Sequence, residues 1–240
     1  MIAPASQRCF KGGSRAAGCG KGTQARWLIE AYDLLNEHFG DLCWWPGESP
    51  LEVVVGAILT QNTAWRNVER AMISLKERNL LSVDALLAAS DETLAACIRP
   101  AGYFNIKTKR LKAFFRFLEE RHEGSLEKLF LWDTEPLREE LLSVYGIGEE
   151  TADSILLYAA SKPIFVVDAY TRRILIRHGI VGDKDRYGEI QALFMASIPA
   201  DVPLYNQYHA LIVETGKTYC AKKPHCNACP LSSLNERIIC

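Results

Sequence analysis

A succession of short helical segments is the feature that most constrains the fold of this chain. It begins near Gln24 and continues through most of the 240 residues. Apolar residues recur at helical spacing, and few stretches show the alternation of period two that a half-buried strand requires. Turns rich in Pro and Gly, such as those at Pro46-Gly47 and Pro100-Ala-Gly102, separate the segments. The sequence therefore predicts an all-α protein with short connections.

The helix boundaries follow from the same periodicity and from residues that cap helices. After a first helix that starts near Gln24, we predict helices at 50–60, 64–78, 82–89, 91–98, 105–121, 125–130, 135–143, 149–161, 169–179, 186–197 and 204–218. Ser82 and Ser90 precede two of them, and Thr134 precedes Glu135-Pro136, where proline is acceptable in a first turn. These three residues are the predicted N-caps.

Residues 1–24 differ in composition from the rest of the chain. They are rich in Gly, Ser and Ala, contain basic but no acidic residues, and are predicted to form a disordered basic tail. The stretch from Gly18 to Gln24 resembles the phosphate loop of adenylate kinases. However, no hydrophobic strand precedes it, and Arg15 occupies the place of the first glycine. We therefore predict that the tail does not bind a nucleotide.

Composition bounds the location and the partners. The longest apolar runs are shorter than the roughly 18 residues that span a bilayer, and the N-terminus lacks the apolar segment of a secretory signal. We expect a cytoplasmic protein with no membrane partner. The net charge is only −1, so any nucleic-acid surface must come from local clusters. The basic residues Lys107, Lys109, Arg110 and Lys112 lie close together, but we interpret them as the solvated face of a helix.

Residues 141–155 read as a helix, a four-residue turn and a second helix. Gly146 and Gly148 give the turn conformational freedom and allow a ligand to approach the main chain. The amide groups at the start of the second helix favour an anion, and a DNA phosphate fits this requirement. Such a contact would position a duplex without reading its sequence. From the glycines alone, a plain αα-hairpin is an equally good interpretation.

Four of the eight cysteines lie within the last 21 residues. Disulfides are not expected in a cytoplasmic protein, and thiolates at close spacing select zinc or an iron–sulfur cluster. The spacing therefore indicates a metal site, although unliganded thiols are also possible from the sequence. The candidate ligands are Cys220, Cys226, Cys229 and the terminal Cys240.

Asp168 stands between the apolar residues 164–167 and a helical stretch that begins at Ala169. This is the position of an ordinary N-cap. At a helix N-terminus the dipole favours the ionised carboxylate, so the same residue can stabilise positive charge that develops on a ligand. The two roles are compatible, and the residues alone leave both open.

Two of these segments carry a family resemblance. The run from Val144 to Ala152 resembles the hairpin of endonuclease III and its relatives, the helix-hairpin-helix DNA glycosylases, and the run from Val166 to Arg173 resembles the segment with their essential aspartate. The resemblance extends from about residue 25 to the C-terminus. It implies a six-helix domain at 45–162 that contains the hairpin and a second helical domain at 25–44 plus 163–240 with an iron–sulfur loop. It also implies a monomer that acts on double-stranded DNA, with Gly146, Ile147 and Gly148 on the DNA backbone.

The resemblance makes Asp168 the catalytic carboxylate. Bifunctional members of the family attack the sugar with a lysine that stands just before the Thr-Ala pair of the hairpin, where this chain has Glu150. A carboxylate cannot form an imine, so water is the expected nucleophile. We therefore predict a glycosylase without lyase activity.

The segments at 42–46 and 59–65 look like the 3-methyladenine glycosylases related to endonuclease III. The resemblance implies that Trp45, next to Pro46, and Trp65 stack on either side of an extruded alkylated purine, whose positive charge the aromatic faces attract. It also implies that Gln61, or alternatively Asn62, fills the gap left in the duplex. From the residues alone, core packing explains the tryptophans, and a polar pair at a helix end explains Gln61 and Asn62.

For the cysteines, the resemblance implies a [4Fe–4S] cluster. The family places its fourth cysteine where this chain has Asn235, so Cys240 is the candidate substitute, and zinc at the same residues is the alternative. Two other functions stay open: an endonuclease III-like oxidised-pyrimidine glycosylase and lyase, and a non-catalytic DNA-binding protein. Glu150 opposes the first, and Asp168 opposes the second. The resemblance therefore favours a nucleoid-associated repair enzyme that acts on alkylated purines.

Overall fold

The computed structural model describes residues 21–44 and 47–237, and within these ranges the chain is helical and contains no strand. The all-α prediction is confirmed. Its α-helices are α1 Lys21–Phe39, α2 Pro50–Leu59, α3 Trp65–Glu77, α4 Val83–Ala88, α5 Asp91–Ile98, α6 Phe104–His122, α7 Leu126–Phe130, α8 Thr134–Ser143, α9 Glu149–Ser154, α10 Ala169–Arg177, α11 Tyr187–Ser197 and α12 Val202–Thr218. Short 3-10 helices cover Arg99–Ala101, Cys226–Ala228 and Pro230–Arg237, and Ile155–Ala159 continues α9 as a π-helix.

The predicted N-caps are correct at two positions and wrong at one. Ser82 accepts a hydrogen bond from the Ala85 amide, and Ser90 accepts one from the Thr93 amide. Thr134, by contrast, is the first residue of α8, and Asp133 is the N-cap. The helix starts one residue early because the first amides of a helix have no intrahelical acceptor, so Pro136 is tolerated anywhere in the first turn.

The prediction of a disordered tail is wrong for residues 21–24, which are helical. Residues 1–20 lie outside the described part of the chain, but α1 begins at Lys21 rather than after Gln24. The Gln24 side chain explains the extra turn, since its Nε2 donates a hydrogen bond to the carbonyl of Ile180 at 2.7 Å. The buried Trp27 and Leu28 already hold the helix in place. Extending it by one turn is then inexpensive, because each added residue that becomes ordered gains one hydrogen bond.

The described residues form two compact units. The central unit comprises 43–166 with 200–206, and the terminal unit comprises 21–42, 167–199 and 207–237. The functional domains predicted at 45–162 and at 25–44 plus 163–240 stay predictions. No helix in the described ranges is long and apolar enough to cross a membrane.

Each unit has a core that its sequence explains. In the central unit, α2 is apolar on nearly all sides, with Val53, Val54 and Ile58 buried, and it packs against α6 and the π-helix. In the terminal unit, the fully buried ring of Tyr208 donates its hydroxyl to the carbonyl of Leu28 at 2.7 Å and so joins α12 to α1. Burial raises the pKa of Tyr208 well above its usual value, which keeps this hydroxyl a donor.

Candidate functional site

The predicted hairpin is present between α8 and α9 in the central unit. Gly146 has a φ of +83°, a left-handed conformation that favours glycine. The amide of Ile147 donates a hydrogen bond to the carbonyl of Val144 at 3.1 Å, and the Ile147 side chain is only 5% exposed. Ile147, a predicted DNA contact, therefore faces the interior with its side chain and uses its amide to close the turn.

A second requirement at Gly146 comes from Arg110 on α6. A Cβ atom on Gly146 would overlap the Cγ and Cδ atoms of the Arg110 side chain. The left-handed φ and the close passage of the arginine thus independently require glycine. Arg110 was predicted to lie on a solvated helix face, and its side chain instead lies against the hairpin.

The predicted gap-filling residue, Gln61, contacts the hairpin. Its Nε2 donates hydrogen bonds to the carbonyl of Gly146 at 3.0 Å and to the hydroxyl of Thr151 at 2.9 Å. Its Oε1 accepts a hydrogen bond from Arg110. Asn62 follows with an exposed side chain and a left-handed φ of +55°. The segment after α2 is therefore bound to the hairpin by Gln61 and presents Asn62 to solvent.

The start of α9 has no side-chain cap. Its N-cap is Gly148, and the first turn carries Glu149 and Glu150, both exposed. Because the first amides of a helix have no carbonyl one turn earlier, this end can accept an outside anion. Arg138 offsets part of the acidic charge, with its guanidinium 3.8 Å from Glu149 and 2.6 Å from the buried Asp153.

The predicted base pocket is described only in part. Trp45 and Pro46 lie outside the described residues. Trp65 begins α3 and is half-buried, and its N-cap, Ala64, makes no side-chain capping bond. Trp65 and the hairpin belong to the central unit, whereas Asp168 and the cysteines belong to the terminal unit.

The prediction of a solvated basic face on α6 is wrong for Lys107 and Lys112. Lys107 is 1% exposed, and its ammonium donates to the carbonyls of Leu59 and Ala101 at 2.7 and 2.8 Å. Lys112 donates to the carbonyls of Leu87 and Ala89 at 2.6 and 2.5 Å. Both lysines fill the C-terminal ends of neighbouring helices, where carbonyl groups attract a cation. Burial lowers the pKa of Lys107 to about 8 and also lowers the pKa of Lys112.

Asp168 is the N-cap of α10, in agreement with its position in the sequence. Its Oδ1 accepts hydrogen bonds from the amide and the hydroxyl of Thr171 at 2.7 and 2.8 Å. The residue is 9% exposed. Because Oδ1 is fully engaged in the cap, Oδ2 is the oxygen left for an interaction outside α10.

That second oxygen faces a histidine that the sequence analysis did not single out. His209 lies on α12, is 7% exposed, and places its Nε2 3.8 Å from Oδ2 of Asp168. This separation is an ion-pair distance but exceeds the length of a hydrogen bond. Burial lowers the pKa of His209, although the Asp168 charge acts in the opposite direction. The 41-residue separation of Asp168 and His209 left no local signal of the pair.

Two arginines of α10 hold the chain beyond α12. Arg173 donates to the carbonyl of Cys220 at 2.6 Å and to that of Gly216 at 3.0 Å. Arg177 donates to the Sγ of Cys220 at 3.1 Å and to the carbonyl of Ala221 at 2.8 Å. The spacing of four residues between the arginines on one helix was the available signal for this role.

The donor chemistry around Cys220 fits a thiolate-bound group. Cys220 is buried, Cys229 is part-buried and Cys226 is exposed. Burial raises the pKa of Cys229, and negative charge on Cys220 and on Cys226 acts in the same direction, against a hydrogen bond from the backbone at Leu231. Cys240 and the side chain of Asn235 lie outside the described residues. Within the described part, no three metal-binding side chains are gathered closely enough to hold an ion.

Comparison with known proteins gives a family and a fold. Residues 55–200 match the family described as HhH-GPD superfamily base excision DNA repair protein. A candidate DNA repair glycosylase of Methanocaldococcus jannaschii is 46% identical over 209 residues, which cover 86% of this chain and 94% of that protein.

Two solved structures resemble the chain over most of its length. The first is the H. pylori 3-methyladenine DNA glycosylase bound to 1,N6-ethenoadenine, with 29% identity and a TM-score of 0.67 over 81% of this chain and 97% of that one. The second is a trapped endonuclease III–DNA covalent intermediate, with a TM-score of 0.76 over 89% of this chain and 97% of that one. The second shares 22% identity, so it carries the fold alone, and the predicted endonuclease III-like fold is confirmed.

Proposed function

This chain belongs to the HhH-GPD superfamily of base excision DNA repair proteins, and we propose that it is a monofunctional DNA glycosylase that removes alkylated purines such as 3-methyladenine. The family makes it a base-excision DNA glycosylase. The absence of lyase activity and the class of base are our proposals. We also propose that it acts as a monomer on double-stranded DNA. The 29% identity to the H. pylori 3-methyladenine DNA glycosylase supports the choice of base.

The observation that carries the proposal is the carboxylate at position 150. Glu150 lies exposed in the first turn of α9, at the position where bifunctional relatives have the lysine that attacks the sugar. A carboxylate cannot form an imine, so the covalent route is closed at this position. Base removal must then leave an intact abasic strand, which breaks only when alkali is added.

The lysines of the central unit with a lowered pKa, Lys107 and Lys112, are poor replacements for that nucleophile. A pKa of about 8, as for Lys107, is the property expected of a reactive amine. However, Lys107 is 1% exposed, and its ammonium donates to two backbone carbonyls. The ammonium of Lys112 is held in the same way. Neither nitrogen can reach a sugar without breaking the helix ends that it stabilises.

We assign the chemistry to Asp168. The leaving of an alkylated base generates positive charge on the sugar, and a fixed carboxylate stabilises that charge or orients the attacking water. Hydrogen bonds from Thr171 hold Oδ1, so the carboxylate has a defined orientation before DNA binds. In DNA, 3-methyladenine already carries a positive charge that makes it a good leaving group, so this base needs little help from a general acid.

We assign the DNA backbone to the hairpin. The amides at the start of α9 are not used by a side-chain cap, and they meet the needs of a phosphate. Gly148 has open space around its Cα, which allows a phosphate to come close to the main chain. This contact fixes the position of the duplex and does not depend on its sequence.

We assign the extruded base to Trp45, Pro46 and Trp65, and the gap in the duplex to Gln61 or Asn62. Asn62 supports a role at the duplex because it is exposed in a left-handed turn. Gln61 must first give up its bonds to Gly146 and Thr151 before it can enter the gap. If Asn62→Ala, but not Gln61→Ala, loses the side chain that fills the gap in the duplex and releases base more slowly, the gap-filling residue is Asn62.

We further propose that Cys220, Cys226, Cys229 and Cys240 hold a [4Fe–4S] cluster. Such a group would supply structural stability by fixing the segment that follows α12. Arg177 supports the assignment, since it already donates to the sulfur of Cys220. We expect the purified protein to contain iron and sulfide and to show a brown charge-transfer absorption. Stoichiometric zinc without iron would contradict the cluster and favour a zinc site at the same residues. Cys240→Ser tests the fourth ligand, and Cys97→Ser, a buried cysteine outside the group, is its control.

One experiment tests the proposed function. Duplexes with single lesions, including 3-methyladenine, 1,N6-ethenoadenine and an oxidised pyrimidine, are incubated with the protein, and strand breaks are compared with and without alkali. We expect release of the alkylated purines and breaks that depend on alkali.

A covalent adduct trapped by borohydride at the yield of a bifunctional enzyme would contradict the monofunctional assignment. Excision of the oxidised pyrimidine alone would contradict the assignment of the base. The Asp168→Asn variant is the matched control, because it retains a capping side chain but loses the charge, and it should release no base.

A further inference from the structure

The carboxylate of Asp168 has two oxygens in different surroundings. Oδ1 accepts two hydrogen bonds from Thr171, both shorter than 3 Å, and so completes the start of α10. Oδ2 makes neither of these bonds and faces the imidazole of His209 at 3.8 Å. The oxygen available for a reaction is therefore also the oxygen that a charge on His209 would act upon.

The surroundings of His209 disfavour a proton. The ring is 7% exposed on α12, and removal from water raises the free energy of the charged form. Two charged groups act on it: Asp168, at the start of α10, favours the imidazolium, and Lys217, two turns later on α12, opposes it. Burial outweighs the attraction, and the pKa of His209 is lowered. At neutral pH the imidazole is therefore neutral, and it becomes charged on acidification.

The charge of the pair determines what the carboxylate can do. With a neutral imidazole, Asp168 and His209 together carry one negative charge, and with one more proton they carry none. This sum of charges is the same whichever of the two groups holds the added proton. A pair without net charge stabilises a cationic sugar much less than an anionic pair does.

We propose that His209 is a positioning residue that controls the charge presented by Asp168 to the sugar, so that base excision stops when the imidazole is protonated. The inference rests on the catalytic role of Asp168 in the proposed function. It predicts that acid inactivation reports the charge on His209. The imidazole acts on the carboxylate across 3.8 Å and needs no contact with the DNA.

The test is the pH profile of single-turnover base release, each profile being scaled to its own maximum. In His209→Gln the side chain at this position stays uncharged, and the acid limb should move to lower pH by about one unit. In Lys217→Gln a positive charge that opposes the imidazolium is lost, and the limb should move to higher pH by a few tenths of a unit. Opposite shifts are not expected from a general loss of stability.

Acid limbs that coincide in the wild type and both variants would overturn the inference. If His209→Gln does not fold, Lys217→Gln decides alone, because its half-exposed side chain can be replaced without opening the core. The substrate is the lesion that the panel shows to be excised. Wild-type activity in Asp168→Asn would remove the proposed function itself, whereas unmoved limbs with an inactive Asp168→Asn remove only the role of His209.

Discussion

Two helices of this protein start at proposed functional residues, and their first turns differ. Helix α9 follows Gly148 and has no side-chain cap, whereas α10 follows Asp168, whose carboxylate accepts hydrogen bonds from Thr171. An uncapped start leaves its amides for an anion that the ligand supplies. A capped start already contains an anion and can offer it to a developing positive charge. In our account, the first start binds DNA and the second carries out the reaction.

The largest expected effect on DNA binding comes from adding a cap to the uncapped start of α9. Gly148→Asp places a carboxylate where α10 has one, and no steric conflict is expected because a Cβ atom at this position has no neighbour within 4 Å. The new side chain would cap the α9 amides and repel a phosphate, so DNA affinity should fall by roughly 100-fold while stability rises by a few tenths of a kcal/mol. Binding to an abasic-site duplex at fixed salt measures the effect.

Gly148→Ala is the matched control, since alanine has no atom that can cap α9. It should bind DNA within about threefold of the wild type. Equal affinities for Gly148→Asp and the wild type would contradict a phosphate site at this helix start.

The next effect concerns the turn before α9. Gly146→Ala meets both a left-handed φ of +83° and the side chain of Arg110. We expect the free energy of unfolding to fall by about 2–3 kcal/mol, because the backbone strain and the overlap add. Urea denaturation measures the loss. In Arg110→Ala/Gly146→Ala the overlap between the new Cβ and the arginine side chain is absent. If Gly146→Ala costs as much stability in this background as in the wild type, the whole loss comes from backbone strain.

A smaller effect on stability is expected at the C-terminal end of α10, where a part-buried histidine lies in place of the carboxylate found at its start. His178 ends this helix against Trp27, with a ring-centroid distance of 5.0 Å, and burial lowers its pKa from 6.5 to about 4. The unfolded chain therefore binds more protons between these two values, and stability should decrease as the pH falls through that window. We expect a loss of about 2 kcal/mol, less than the full shift implies because the ring is part-exposed.

His178→Phe should remove this part of the acid sensitivity, measured as the free energy of unfolding at pH 7 and pH 4. His38→Phe is a control in the same unit, since His38 is an exposed histidine. Equal acid sensitivity in His178→Phe and His38→Phe would exclude His178 as the source.

The smallest effect tests how Thr171 holds the carboxylate of Asp168 at the capped start of α10. Thr171→Val keeps the shape of the buried side chain but removes its hydroxyl, one of the two donors to Oδ1 of Asp168. We expect a stability loss of about 1 kcal/mol, because the amide bond of the cap remains. Base release should slow by less than about tenfold. Thermal unfolding measures the contribution of the hydroxyl to the cap, and single-turnover rates measure its contribution to base release. A rate loss as large as that of Asp168→Asn would contradict the expectation that the hydroxyl acts mainly on stability.

Local signals in the sequence explain what could be predicted. Periodicity located the helices, the serines before α4 and α5 marked their starts, and the glycines marked the hairpin. These features depend on neighbours within one or two turns.

Contacts between distant residues explain what could not be predicted. Lys107 and Lys112 looked like surface residues because only the fold brings carbonyls of other helices to their ammonium groups. His209 gave no signal for the same reason, since its partner lies on another helix. Gln61 was predicted as a DNA contact, and its bonds to the hairpin required the packing of α2 against α9.

The central claim is that the charge at position 168, and not the cap alone, is required for base release. Asp168→Ser tests it most directly, because serine caps a helix about as well as aspartate but has no charge. The measurement is single-turnover release of the excised base, with thermal unfolding of the same preparations. We predict a loss of roughly 1,000-fold in rate with an unfolding temperature close to that of the wild type. A rate within about tenfold of the wild type would contradict the account.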